Sequence, residues 1–132
     1  MRPVDAVDDH ADGIQAYSPG DRGTLKITNS IIVSHNTAAT AGLFIADNWT
    51  GTIDLDNVVV QGGPFGVRIH PDVGGDNTIR FKNVCFVGPF GYNKMLFSNQ
   101  GGHVNNIELW DNVRDCTISS GNLVPGNLIP RP

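Results

Sequence analysis

The chain has 132 residues, with 16 glycines, 8 prolines and a charged fraction of 17%, which predicts a single domain with many turns and few exposed helices. A formal net charge of −4, without clustered Lys and Arg, argues against a nucleic-acid partner. The apolar runs are far shorter than the roughly 20 residues that a membrane-spanning helix needs, so no membrane partner is expected.

We divide the chain into an N-terminal cap or lead-in at residues 1–12, a repetitive region at 13–118, and a Pro- and Gly-rich tail at 119–132. The first segment lacks the apolar stretch of a signal peptide, so no signal peptide is expected in this chain, and a fragment of a longer protein is one interpretation. The tail contains Pro125, Pro130 and Pro132, which we expect to prevent it from acting as an aggregation-prone strand. It would cover one end of the repeats or lie along a side.

Each repeat has an alternating strand, then an asparagine, then a short second apolar strand. The four segments are GTLKITNSIIVSH, GTIDLDNVVVQG, NTIRFKNVCFVG and NIELWDNVRDCTI, and their asparagines are Asn29, Asn57, Asn83 and Asn112. A third short strand precedes each segment, at 13–17, 42–46, 66–70 and 94–98. Asparagine steps of 28, 26 and 29 residues, with three short strands in each step, predict an all-β solenoid of about four coils.

The alternation within each coil predicts which side chains are buried. Apolar residues such as Ile53 alternate with charged ones such as Asp54, so one face of the strand is expected to be buried. Stacked coils place equivalent residues about 4.8 Å apart, and the recurring asparagines should therefore form a hydrogen-bonded ladder. The fourth coil has one extra residue in IELWDN, which predicts a β-bulge. Trp110 should occupy the core position that Phe81 has in the coil before.

The third strands define the face where we expect binding or catalysis. Alignment at Gly13, Gly42, Gly66 and Lys94 gives two inward columns, Ile14, Leu43, Val67, Met95 and Ala16, Ile45, Ile69, Phe97. The outward columns are then Gln15, Phe44, Arg68, Leu96 and Tyr17, Ala46, His70, Ser98. Tyr17 and His70 would lie two coils apart, on the order of 9.6 Å, with the small Ala46 between them as the floor of a notch. Aromatic rings beside amides and carboxylates suit sugar rings.

The repeat, its NV or NS turn and the HADGIQ motif at residues 10–15 resemble those of the pectin-lyase-like superfamily. The resemblance covers residues 13 to about 118 and implies a right-handed parallel β-helix. In related enzymes that act on polysaccharides, this strand face commonly carries the site, so a saccharide groove is implied here. HADG and VRIH are similar to the NTDG and RIK elements of polygalacturonases. The Asp-Asp and Gly-His-Gly elements of that family, and the Arg-x-Pro-x-x-Arg pattern of pectate lyases, have no counterpart.

The candidate site residues follow from this face and from the resemblance. In a lyase, His10 or His70 would be the base and Arg68 the cation that neutralises a uronate carboxylate. In a hydrolase, Asp12 would need a second carboxylate roughly 5 to 9.5 Å away. The candidate catalytic residues are His10, Asp12, Arg68 and His70, and the candidate substrate-binding residues are Gln15, Tyr17, Phe44, Asp47 and Trp49. In the alternative interpretation, Asp12 only completes a turn, and Arg68 and His70 form the solvated face of a half-buried strand.

Two classes of function stay open. The first is an extracellular or virion-surface protein that acts on an acidic glycan as a polysaccharide lyase or glycoside hydrolase. The second is a non-catalytic glycan-binding or structural segment of a trimeric fibre or tail spike, or a scaffold fragment of a longer β-helix. The second strands of the coils are apolar on both faces, which indicates either a homo-oligomer interface or cover by the tail.

No cofactor is expected. The oxygen-rich stretch DNWTGTIDLDN is a weak signal for calcium, because it lacks the spacing and the terminal Glu of an EF-hand. Cys85 and Cys116 form no CxxC motif and have no metal-like His spacing. Because both cysteines lie in apolar strands, we predict two buried free thiols.

Overall fold

The computed structural model of the protein describes residues 13–16, 23–34, 41–46, 49–71, 74–99 and 101–132. Its strands in chain order are β1 (Ile14–Ala16), β2 (Gly23–Val33), β3 (Ala41–Ile45), β4 (Gly51–Gln61), β5 (Phe65–Ile69), β6 (Asn77–Val87), β7 (Asn93–Phe97), β8 (Asn105–Ser119) and β9 (Asn122–Leu128). No helix among the described residues has the length and apolarity to cross a membrane. The N-terminal cap predicted at 1–12 lies outside the described residues.

The strands form a parallel β-solenoid of about three turns, which confirms the predicted fold class. One sheet has the order β1-β3-β5-β7, and the other has the order β2-β4-β6-β8-β9. Each coil therefore contributes one short strand and one long strand. The first and second strands predicted for each coil are joined into the long strand, which continues through the repeated asparagine.

The repeated asparagines bend the long strands. Their φ angles are 51°, 59°, 52° and 53° at Asn29, Asn57, Asn83 and Asn112, in the left-handed region that asparagine tolerates better than most residues. Asn57 Nδ2 donates to Asn29 Oδ1 at 2.7 Å, and Asn112 Nδ2 donates to Asn83 Oδ1 at 2.8 Å. These bonds confirm the predicted contact between asparagines of neighbouring coils for the pairs Asn29–Asn57 and Asn83–Asn112, and they explain why this residue type recurs at the bend.

The core consists of columns of apolar side chains, one from each coil. The register pairs Ile27 with Leu55, Leu55 with Phe81, and Phe81 with Trp110. Leu55 and Phe81 are fully buried, and the indole of Trp110 stacks on the Phe81 ring at 5.3 Å between centroids. The core position predicted for Trp110 is therefore confirmed, as is the bulge, because Glu108 is the extra residue between the pairs Ile79–Ile107 and Arg80–Leu109.

Glycines at the start of the short strands allow successive coils to approach closely. A Cβ atom on Gly13 would lie 2.6 Å from the carbonyl oxygen of Gly42, and one on Gly66 would lie 2.6 Å from that of Lys94. Any side chain at these positions would push the coils apart. Lys94 occupies the same position on β7, the last strand of its sheet, and its Nζ donates to Asp115 Oδ1 at 2.6 Å.

A second asparagine ladder, which the sequence did not lead us to predict, lies at the start of the long strands. The side chain of Asn77 is fully buried. Its Oδ1 accepts the Gly51 N–H at 3.0 Å, and its Nδ2 donates to Asn105 Oδ1 at 3.0 Å. Asn105 Nδ2 in turn donates to the carbonyl oxygens of Ile69 and Ser98. These bonds satisfy the polar groups of the corner where the chain passes from short to long strands.

The C-terminal tail forms β9, which pairs antiparallel with β8. The turn between them contains Ser120 and Gly121 with φ angles of 51° and 77°, as a two-residue type I′ hairpin requires. The prolines do not keep the tail from forming a strand within the chain, because Pro125 lies within β9, opposite Cys116; that they prevent aggregation stays a prediction. Because an edge strand uses only one of its sides for pairing, it tolerates a residue without an N–H group.

The two cysteines are joined, so the prediction of free thiols is wrong. Cys85 on β6 and Cys116 on β8 form a disulfide, with their Cα atoms 5.6 Å apart. The register pairs Cys85 with Arg114 and Val87 with Cys116, so the cysteines are diagonal neighbours on adjacent strands. The apolar sequence around each cysteine favours a free thiol, but their separation of 31 residues, about one coil, brings them onto adjacent strands.

Candidate functional site

The outward side chains of β1, β3, β5 and β7, here called the short-strand face, include three of the predicted site residues. The register places Gln15 beside Phe44, and Phe44 beside Arg68. Leu96 completes this row on β7. Gln15 is exposed and the other three are partly buried, whereas Leu43 and Val67, which lie next to this row in sequence, are fully buried. This confirms the predicted inward direction of the Leu43–Val67 column.

The guanidinium of Arg68 lies against two aromatic rings. Its central carbon is 5.4 Å from the ring centroid of Phe44 and 5.6 Å from that of Phe65. Its Nε donates a hydrogen bond of 2.7 Å to Nε2 of His70. The rings and this hydrogen bond together restrict the plane of the guanidinium. The two Nη groups make no hydrogen bond to any residue that the structure describes.

His70 lies deeper than the sequence indicated. It was expected on the solvated face, but it is only 4% exposed. Its ring is perpendicular to that of Phe44, with the centroids 6.0 Å apart. Because Nε2 accepts the hydrogen bond from Arg68, this contact requires a neutral imidazole with its proton on Nδ1. Ala46, the expected floor of a notch, is also buried, and Tyr17, its expected wall, lies outside the described residues.

A groove of about 580 Å³ lies where two turns lead into β5 and β7. Glycines and prolines of these turns line it, together with Phe90 and Tyr92. Tyr92 is 80% exposed, and its ring lies 5.4 Å from that of Phe65 between centroids. The groove is therefore continuous with the aromatic surface beside Arg68. The sequence signal for it is the pair of similar turns QGGPF and GPFGY at the same place in successive coils.

The remaining candidate residues do not join this cluster in the described structure. Trp49 is partly buried and packs against the hydrophobic core, so part of its indole surface is occupied by packing. His10, Asp12 and Asp47 lie outside the described residues. The four short strands contain no Asp or Glu, so these strands supply a cation and aromatic rings to the face but no carboxylate.

No group of three or more His, Cys, Asp or Glu side chains is placed to hold a metal ion in the described ranges. No protein-family model matches the chain, and no curated protein or solved structure shows significant similarity to it. Its function is therefore inferred from the chemistry of the short-strand face.

Proposed function

We propose that the short-strand face binds an acidic polysaccharide and that Arg68 contacts a carboxylate or sulfate group of the glycan. The observation that best supports this is the position of the guanidinium against Phe44 and Phe65, with its Nε bonded to His70. A guanidinium fixed in this way presents its Nη atoms as the planar fork that binds a carboxylate through two parallel hydrogen bonds. Because the side chain is already ordered, less conformational entropy is lost on binding.

The surface around Arg68 supplies the other contacts that a sugar chain needs. Pyranose rings have apolar faces that pack on aromatic side chains, and Phe65 and the exposed Tyr92 extend from Arg68 into the groove. Gln15 is exposed at the far end of the Gln15–Phe44–Arg68 row, where its amide can both donate and accept hydrogen bonds. A glycan with acidic and apolar surfaces therefore matches the face better than a uniformly charged polymer.

Binding fits the described face better than cleavage does. A lyase base must come within hydrogen-bond distance of the substrate proton, but His70 is 4% exposed and its Nε2 already accepts a hydrogen bond from Arg68. A retaining or inverting hydrolase needs two carboxyl groups, and the short strands contain none. Lyase or hydrolase activity would depend on His10, Asp12 or Asp47, whose roles stay predictions.

An extracellular or virion-surface location is part of this proposal. The Cys85–Cys116 disulfide supports it, because disulfides persist in oxidising environments and are rare in reducing cellular compartments. Polysaccharides with carboxylate or sulfate groups would be met in the same surroundings.

A homo-oligomeric fibre segment, such as a trimer, is the second candidate function. Ile31 is 67% exposed and lies in register with Val59, which lies in register with Cys85. Leu123 of β9 lines a hollow of about 280 Å³ with Val59 and Cys85, so the tail lies beside these two members of the column. The apolar surface at Ile31 supports lateral association of copies, which sedimentation equilibrium would detect as a trimer mass that Ile31→Lys reduces to a monomer mass.

The glycan proposal can be tested by isothermal titration calorimetry with polygalacturonate, alginate and chondroitin sulfate as acidic probes and dextran as a neutral one. Arg68→Gln should weaken binding of an acidic probe by roughly 10- to 150-fold, because hydrogen bonds to a charged group contribute about 1.5–3 kcal/mol. Lys26→Gln is the matched control, since it removes an exposed positive charge from β2 in the other sheet.

Three outcomes would contradict the proposal. The first is that none of the acidic probes binds, and the second is that Arg68→Gln and Lys26→Gln weaken binding equally. The third is the appearance of unsaturated uronate absorbance or of new reducing ends, which would replace binding with lyase or hydrolase chemistry.

A further inference from the structure

The short strands carry two basic side chains, Arg68 and Lys94, and these differ in their partners. The Lys94 ammonium forms an ion pair with Asp115 at 2.6 Å, so its charge is already compensated. Arg68 forms an ion pair with no carboxylate that the structure describes. The short-strand face therefore offers one cationic subsite, at Arg68, which can compensate one acidic group of a bound glycan.

A single aromatic ring, that of Phe65, separates this cationic subsite from the groove at Tyr92. The Phe65 centroid is 5.6 Å from the central carbon of the Arg68 guanidinium and 5.4 Å from the Tyr92 centroid. Neighbouring sugars of one glycan chain can therefore reach Arg68 and Tyr92 together. Because Tyr92 is 80% exposed, its ring is open to a second sugar.

The groove itself supplies no positive charge. The described residues that line it are glycines and prolines of two turns, together with Ser34, Gln61, Phe90 and Tyr92, and none of them is charged. A carboxylate that entered the groove would lose hydration without gaining a cation, which is unfavourable. An uncharged sugar avoids this cost, can exchange hydrogen bonds with the Gln61 amide and can pack its apolar face on the Tyr92 ring.

Three backbone amides of the groove are also unable to compensate an anion. The N–H groups of Gly62, Gly91 and Tyr92 donate to carbonyl oxygens of neighbouring coils, at distances of 2.8 to 3.1 Å. Backbone amides bind anions where their N–H groups point at the ligand, and these three point into the protein. They hold the two turns together, so the groove favours an uncharged occupant.

We propose that the short-strand face selects a polysaccharide in which acidic and uncharged sugars alternate, an inference that rests on the proposed glycan binding at Arg68. The acidic sugar pairs with Arg68, and the adjacent uncharged sugar lies in the groove against Tyr92. A uniform polyuronate would instead place a second carboxylate in the groove, where no described group compensates its charge. Tyr92 is therefore a specificity-determining residue, whereas Arg68 makes the charge contact that both kinds of glycan share.

The test compares two acidic oligosaccharides of equal length by isothermal titration calorimetry. One is a hyaluronan fragment, in which glucuronate alternates with N-acetylglucosamine, and the other is an oligogalacturonate, in which every sugar is acidic. The hyaluronan fragment should bind roughly tenfold more tightly or better, because it leaves no carboxylate uncompensated in the groove. Charge alone predicts the opposite order, since the oligogalacturonate is the more highly charged ligand.

Variants at Tyr92 locate the discrimination. Tyr92→Ala should weaken binding of the hyaluronan fragment by roughly three- to tenfold, through loss of the aromatic contact, and should leave binding of the oligogalacturonate nearly unchanged. Tyr92→Phe is the matched control, because it keeps the ring and should keep the preference. Since Tyr92 is largely exposed, we expect both variants to fold, which circular dichroism checks.

The outcomes separate this proposal from the one on which it rests. Equal or tighter binding of the oligogalacturonate, or equal weakening of both ligands by Tyr92→Ala, would overturn the selection of alternating sugars. Glycan binding at Arg68 would still stand in that case if Arg68→Gln weakened both ligands. If neither ligand bound, or if Arg68→Gln weakened neither, the proposed function would fail and the selectivity would fail with it.

Discussion

Replacement of Asn77 by alanine tests whether the coils are held in register by the buried asparagine ladder. Asn77 is fully buried, accepts the Gly51 N–H and donates to Asn105 Oδ1. Asn77→Ala removes both hydrogen bonds and leaves the buried Gly51 N–H without its side-chain acceptor. Two neutral hydrogen bonds at about 0.5–1.5 kcal/mol each, with about 1–3 kcal/mol for an unsatisfied buried group, predict a loss of about 2–6 kcal/mol in the free energy of unfolding.

Urea denaturation followed by circular dichroism measures this loss, with Asn106→Ala as the matched control. Asn106 is the next residue after Asn105 on β8 but is exposed, so its replacement should change the free energy of unfolding by less than about 0.5 kcal/mol. The dependence of the free energy on urea should be the same in both variants, since the surface exposed on unfolding is unchanged. If Asn77→Ala were as stable as Asn106→Ala, the ladder would contribute nothing and this reasoning would be refuted.

Three further predictions concern the coil contacts, the disulfide and the candidate site. Gly66→Ala should destabilise the fold by about 1–3 kcal/mol, because its Cβ would lie 2.6 Å from the Lys94 carbonyl oxygen. Gly23→Ala is the control, since a Cβ on Gly23 meets nothing within 4 Å. Equal urea midpoints for the two variants would contradict the close packing of coils. Joint replacement of Cys85 and Cys116 by alanine should lower the free energy of unfolding by about 3–4 kcal/mol. The reason is that the disulfide restricts the unfolded chain across a separation of 31 residues. A variant as stable as the oxidised wild-type protein would count against a formed disulfide. Arg68→Lys keeps the charge but loses the planar fork, so calorimetry should show weaker binding of polygalacturonate by roughly tenfold; undiminished affinity would show that only charge matters.

Much of the fold could be predicted from the sequence because the same residue types recur at equivalent positions of successive coils. An asparagine at each bend tolerates a positive φ angle and bonds to the asparagine of a neighbouring coil, as Asn57 does to Asn29. The alternation of apolar residues fixes the inward columns, and the extra residue Glu108 marks the bulge. Each of these signals is local and repeats at a nearly constant spacing.

The features that were missed depend on contacts between coils rather than on local pattern. The burial of His70 follows from Arg68 and Phe44, which lie against its ring, and alternation alone places it outside. The disulfide joins cysteines that are diagonal neighbours on adjacent strands. The strand in the tail depends on the Ser120–Gly121 hairpin turn, whose effect outweighs the single proline inside β9.

The sequence predicted which site residues are neighbours where their side chains occupy equivalent positions of successive short strands. Gln15, Phe44 and Arg68 could be placed together from the alignment of third strands, since equivalent residues of stacked coils become neighbours. The groove beside Tyr92 could not be placed in this way, because it is shaped by turns whose conformation depends on Gly62 and Gly63 at φ angles of 74° and 90°.

The central claim is that the Arg68 guanidinium receives the anionic group of a glycan. Titration of the protein with an oligogalacturonate, followed by the Nε–Hε resonances of arginine in two-dimensional NMR spectra, observes this group directly. The claim predicts that the Arg68 resonance shifts in a saturable manner, while those of Arg80 and Arg114, on the sheet of long strands, stay in place. Shifts confined to Arg80 or Arg114, with Arg68 unaffected, would place the glycan on the other sheet and contradict the claim.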